Sequence, residues 1–164
     1  MPVIAEPDRL PALRRLGLSP ALLRLAAGQA PHPALARCLS GPPFYLYRGA
    51  HSPPGSPLVP LWDLHDQALA VRAATDALEF LRFSIEAPAH PEHLARTEAG
   101  FWATQFDALY ELDLDLDALH AAAQAVGYRH LALQLGARDA YEREDAAHPA
   151  WLSGLVARID ALQV

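Results

Sequence analysis

His90-Pro91-Glu92-His93 is the segment whose residue types come nearest to a metal site. Two histidines three residues apart converge on one ion when they share a helical turn, and Glu86 and Glu98 are near in sequence. Pro91 stands between the histidines, and no HExxH pattern or cysteine pair accompanies them. The segment reads as a solvated loop joining a strand to a helix, and no metal or other cofactor is assigned. Asp113, Asp115 and Asp117 alternate with leucine in the run DLDLD. A calcium loop of that kind needs Gly at its sixth position and Glu at its twelfth. Counted from Asp113 these positions hold Ala118 and Gln124, so the pattern fails. The run reads as helix-capping acids alternating with buried leucines, with a protein-binding patch as the alternative.

Covalent chemistry has little to work with. There is no GxSxG elbow, and Ser84 falls inside an expected strand. Cys38, the only cysteine, sits beside Leu35 and Leu39 and reads as a small apolar core residue. Eight histidines are scattered without a shared motif. The chain has no lysine; all thirteen basic residues are arginine. That excludes a Walker-type phosphate loop and a pyridoxal phosphate Schiff base. Asparagine is missing too, and codon pressure in a GC-rich bacterial genome accounts for both absences. A non-catalytic protein is expected.

The elements that position these residues follow from pattern. Twelve of the fifteen prolines lie within the first 60 residues, which predicts short, interrupted helices there. One is capped by Asp8 and stopped by Gly17. A second opens at Ser19-Pro20 and ends at Gly28. A third runs from Pro33 to Leu39. The aromatic stretch Phe44 to Arg48 predicts a strand, and Gly49 to Pro57 a surface loop. Leu58 to Trp62 predicts another strand, with Pro60 placing it at an edge or a bulge. Leu69–Ala73 and the strand around Phe83 form a hairpin through residues 74–77. In the latter strand Leu81, Phe83 and Ile85 share one face, while Leu78 and Phe80 begin the other, so it is central. Thr97 caps a helix carrying Phe101, Trp102, Phe106, Leu109 and Tyr110, with Gly100 explained by close packing on the sheet. Asp113 or Asp115 caps a helix with Leu116, Leu119, Ala123 and Val126, ending at Gly127. Residues 128–135 fit a short helix or a strand. A last helix begins at His148-Pro149 with Leu152, Leu155, Val156, Ile159 and Leu162 on one stripe. Trp62, Phe101 and Trp102 read as core, with Trp62 as a contact residue if its strand meets the rim.

A chain of 164 residues suffices for one domain with a sizeable core. No stretch approaches the ~20 apolar residues of a membrane span. Glu6, Asp8, Arg14 and Arg15 interrupt the place where a signal peptide needs apolar residues, which predicts a cytoplasmic protein. The net charge of −6 is uneven. Residues 1–58 hold six Arg against Glu6 and Asp8, and residues 59–164 hold seven Arg against seventeen acids. From Asp107 to Asp117 there are five acids and no base. Such a surface repels a phosphate backbone and suits a basic protein partner rather than a nucleic acid.

The order of parts from Pro57 to Glu111 resembles the SUKH superfamily, which includes bacterial immunity proteins and a yeast regulator of cell-wall synthesis. The likeness lies in the Pro60-Leu61-Trp62 strand and the hairpin ending in Phe80-Leu81-Arg82-Phe83-Ser84-Ile85-Glu86. A helix opening Thr97-Glu98-Ala99-Gly100 and the acids after it complete the order. Ser40-Gly41-Pro42-Pro43 is the nearest match to the family's Gly and acidic residues before the sheet. The resemblance implies a single α+β domain, a mostly antiparallel sheet flanked by helices. It also implies a protein-binding module, of which many bacterial examples neutralise a toxin. No binding residue transfers by motif. Charge alone selects Glu111, Asp113, Asp115 and Asp117 as the contact surface, with Trp62 as an anchor. The alternative is a small-molecule pocket or enzyme between the sheet and the Phe101–Tyr110 helix.

Overall fold

Proline density before residue 61 breaks the first third of the chain into short pieces. The computed structural model describes residues 3–48, 57–87, 90–144 and 147–162. A 3-10 turn, Glu6–Asp8, leads into α1 (Arg9–Arg15), α2 (Pro20–Ala26) and a 3-10 segment, Pro33–Cys38. Gly17 and Gly28 follow the two helices at φ 75° and 79°, a conformation that costs other residues a steric penalty. Ser19 Oγ accepts the Leu22 N–H at 3.2 Å, as its sequence position predicts. Asp8 stands before α1, but its side chain makes no capping hydrogen bond.

The stretch read as an aromatic strand is instead a one-turn helix, α3 (Tyr45–Arg48). The cause is tertiary. Asp63 Oδ2 accepts the N–H groups of Phe44 at 2.7 Å and Tyr45 at 3.2 Å, which holds the turn and overrides β-propensity. Of the expected loop Gly49 to Pro57, all but Pro57 lies outside the described residues.

Four antiparallel strands follow in the order β1 (Val59–Leu64), β2 (Gln67–Ala73), β3 (Leu78–Ser84) and β4 (Glu92–Ala95). β1 is an edge strand and its register shifts between Pro60 and Trp62, so both positions expected for Pro60 coincide. The buried Arg9 guanidinium serves this bulge. Its Nη1 donates to Leu61 O at 2.9 Å and Pro60 O at 3.3 Å, and its Nη2 to Ala26 O at the end of α2. In the hairpin, Ala74 N–H donates to Ala77 O at 2.8 Å. β3 is interior and buried on both faces: Phe80 faces the main core, while Leu81 and Phe83 meet Leu46, Leu58, Ala68 and Ala70. Ile85 lies past the strand end and is exposed.

β4 was expected as a loop. It pairs with β3 through Leu81–His93 and Arg82–Glu92, the latter pair also joined by an ion pair at 2.6 Å. Beyond it come α4 (Glu98–Glu111), α5 (Leu116–Val126), α6 (Leu131–Glu144) and α7 (His148–Ala161). Of residues 128–135, open between helix and strand, 131–135 begin α6, which continues nine residues past Leu135 to Glu144. Phe101 of α4 stacks on Phe80 with ring centroids 4.6 Å apart and touches Trp62 at 5.7 Å. The architecture is α+β: one antiparallel sheet whose main face is covered by helices. Among the described residues no helix is long and apolar enough to cross a membrane.

Gly100 has a specific reason. Asp160 of α7 caps the start of α4, accepting from Arg96 N at 2.8 Å and from Thr97 N at 3.0 Å. A Cβ on residue 100 would overlap the Asp160 Oδ1, lie 2.9 Å from Asp160 Cγ and 3.0 Å from Ala95 Cβ. Packing is close, as expected, but the main neighbour is a carboxylate from α7 rather than the sheet alone.

Candidate functional site

Thr97 Oγ1 accepts the Gly100 N–H at 3.1 Å and fixes where α4 begins. Fourteen helical residues later the chain reaches Glu111, with Asp107 one turn earlier on the same side. Arg138 of α6 enters between them. Its Nη2 lies 2.5 Å from Asp107 Oδ1 and 2.7 Å from Glu111 Oε1. Its guanidinium also rests over the Tyr110 ring at 4.1 Å and near the Trp151 ring at 5.3 Å. Burial opposes the charge on Arg138, but the hydrogen bonds and charges of Asp107 and Glu111 outweigh it, and its pKa rises. His148, the first residue of α7, places Nε2 3.1 Å from Asp107 Oδ2.

Asp107, Glu111 and His148 offer three ligand atoms within 4.8 Å of one another, a spacing that suits a divalent ion. The guanidinium already bound to both carboxylates argues against that use. A dication about 4 Å from it is repelled by roughly 8 kcal/mol at an effective dielectric of 20. The cluster acts as an ion network tying α4, α6 and α7 together. The segment read as a solvated loop holds a short strand instead, and His90 and His93 do not share a helical turn. His93 is exposed in β4, which starts at Glu92.

The acidic run divides between two environments. Asp107 is buried and Glu111 shares Arg138, which leaves Asp113, Asp115 and Asp117 on the surface. Asp115 Oδ1 accepts the Ala118 N–H at 2.8 Å and caps α5, and Asp117 lies in its first turn. Asp113 adopts φ 55° at the reversal between α4 and α5. The reversal breaks the two-residue alternation: of the two leucines in the run, Leu114 packs against the core but Leu116 does not. Leu112 is 51% exposed, Leu116 52%, and Leu114 is half-buried. A pocket of about 390 Å³ separates this corner from the Pro33–Cys38 segment, where Arg37 and His32 face Asp113 and Asp115.

Trp62 takes its core reading: it is 1% exposed and offers no contact surface in this conformation. Between the sheet and α4, Trp62, Phe80 and Phe101 pack ring against ring in the space where a pocket was the alternative. Cys38 is buried, and burial raises its thiol pKa to about 12, far from the reactive thiolate range. Sequence reasoning missed Arg138 and His148 as members of one cluster. The available signal was the spacing Gln134, Arg138, Tyr141, which places polar groups on one side of α6. It missed Asp63 altogether, since nothing local distinguishes a strand aspartate that caps a distant turn.

No family model, curated protein or solved structure matches the chain.

Proposed function

We propose that this chain is a non-catalytic protein-binding module and that the α4–α5 corner is its contact surface. The observation that carries the reading is the exposure of Leu112 and Leu116 amid Asp113, Asp115 and Asp117. Apolar side chains at the centre of a patch supply desolvation energy, and an acidic rim selects the partner and speeds its approach. The partner is a basic protein, in keeping with the surplus of acids after residue 58. The narrower reading is an immunity-type protein that neutralises a toxin domain in the cytoplasm. It rests on the SUKH resemblance and on the basic character common among toxic nucleases.

The test uses a partner identified by co-purification from source cells and then purified. Its affinity is measured for wild type, Leu112→Ser/Leu116→Ser, and the Asp113, Asp115 and Asp117 charge-reversal triple. Both variants should weaken binding by tenfold or more, about 1.4 kcal/mol, and the triple should also slow association at low salt. Equal affinity for all three proteins would remove the corner as the contact surface.

A further inference from the structure

We infer that His148 is a proton-controlled latch: its imidazolium clamps the start of α7 onto Asp107 and Glu111, and loss of the proton lets that first turn open. The latch stands apart from the contact surface at the α4–α5 corner, and its test needs no partner. His148 is the first residue of α7, and its Nε2 lies 3.1 Å from Asp107 Oδ2. Its ring meets those of Tyr141 on α6 at 5.9 Å and Trp151 at 5.5 Å between centroids. One side chain of α7 thus touches both α4 and α6.

Charge favours the imidazolium. Asp107 and Glu111 of α4 share the Nη2 of Arg138 of α6, so two carboxylates meet one guanidinium. Among the described residues this group is one positive charge short, and a proton on His148 supplies it. Ligand atoms of Glu111 and His148 lie within 4.8 Å of each other, so the second carboxylate also acts on the imidazole. The N-terminus of α7 sets about half a unit of positive charge against it, less than the full negative charge left on the cluster. α7 has no acid in its first turn, and Tyr110 and Tyr141 present rings. Asp107, Glu111 and Arg138 are therefore the charges that decide.

Imidazoles change charge between about pH 5 and 8. The His148 side chain is 34% exposed, so solvent protons reach it, while Asp107 and Arg138 are buried. A neutral imidazole can still donate Nε2–H to Asp107, but the attraction between full charges goes with the proton. The first turn of α7 has no side-chain cap to replace it, since Ala147 precedes the helix. The far end of α7 stays in place, because Asp160 accepts from Arg96 N and Thr97 N. Opening is therefore local. Closing takes up a proton, so the open fraction grows as pH rises.

The test is hydrogen exchange of the full chain, followed by NMR at about pH 5.5 and about pH 8 and corrected for the intrinsic rate at each pH. Trp151 carries two reporters: its amide N–H donates to Ala147 O at 3.1 Å and its indole N–H to Ala137 O at 3.2 Å. Their protection should fall about tenfold from the lower pH to the higher, the effect of one proton bound about tenfold more tightly in the closed form. The Trp102 indole, which donates to Glu98 at 3.0 Å, should keep its protection. His148→Phe keeps a ring beside Tyr141 and Trp151, and His148→Gln keeps a donor for Asp107; neither titrates, and both should show the same Trp151 protection at the two pH values. Glu111→Gln, at the exposed edge of the cluster, balances the charge without the proton and should reduce the fall to about threefold or less. Equal Trp151 protection at both pH values in wild type, or a tenfold fall that persists in the His148 variants, would overturn the latch. An equal fall at Trp102 would make the change global and overturn it too. An undiminished fall in Glu111→Gln would remove charge balance as its cause.

Discussion

Arg138 Nη2 donates to Asp107 Oδ1 at 2.5 Å across 31 residues of chain, and both side chains are about 95% buried. The pair joins α6 to α4, and Glu111 and His148 extend it to the surface and to α7. Asp107 thereby ceases to be part of an acidic surface. Its charge is neutralised by a residue that no sequence window around it contains.

Removing Arg138 should be costly because it strands a buried carboxylate. Arg138→Met is expected to lose about 3–5 kcal/mol. Arg138→Met/Asp107→Leu should recover much of that, since both charges then leave together. Urea unfolding of the two variants measures the difference. A single variant as stable as wild type would show that the network contributes little.

Gly100→Ala should destabilise the fold although alanine gains about 1 kcal/mol of helix propensity. The added methyl collides with the Asp160 carboxylate and Ala95, and overpacking costs about 1–3 kcal/mol. The penalty should shrink in an Asp160→Ala background, where the carboxylate is gone. A double-mutant cycle reads this directly; additive effects would contradict the contact.

Cys38 should resist alkylation in the native protein at pH 8 and react fully in urea. Its folded pKa of about 12 exceeds the usual thiol value near 8.5. The unfolded chain therefore loses the thiol proton first as pH rises. Stability from this group is full below about pH 8.5 and falls by about 1.4 kcal/mol per pH unit from there toward 12. Cys38→Ala should remove that slope. Rapid native labelling at pH 8 would count against a buried thiol.

Asp63 is held above the ordinary carboxylate range by burial, against the lowering effect of the Phe44 and Tyr45 N–H groups. A raised acid stabilises the fold below its unfolded pKa and loses that contribution as pH rises through the folded value. Asp63→Asn should keep an acceptor for the two N–H groups and flatten this slope just above the ordinary carboxylate range. Asp63→Ala loses both bonds and should cost about 1–3 kcal/mol. Stability against pH for the three proteins tests the sign. An unchanged slope in Asp63→Asn would assign the pH dependence elsewhere.

Local signals set much of this protein. Ser19, Thr97 and Asp115 cap the helices they precede, because a cap is made within three residues. Gly17, Gly28 and Gly127 end helices where positive φ is needed. Alternation in β2 and β3 assigned their faces, and Pro60 fixed an edge with a bulge, since a missing N–H is visible in the residue itself. Other features depend on partners far along the chain. Asp63 turned an expected strand into α3, and pairing with β3 made a strand of Glu92–Ala95. In the DLDLD run the capping role of Asp115 was legible, but alternation assumes a straight chain, and the reversal at Asp113 leaves Leu116 exposed. The sequence by itself determined where α2, α4, α5 and α7 begin, the hairpin and the apolar faces of β2 and β3, which arise from neighbours within one or two turns. Only the tertiary structure decided which of the five acids face solvent, because charges pair by distance in space, and Arg138 lies close to Asp107 only once α6 has packed on α4.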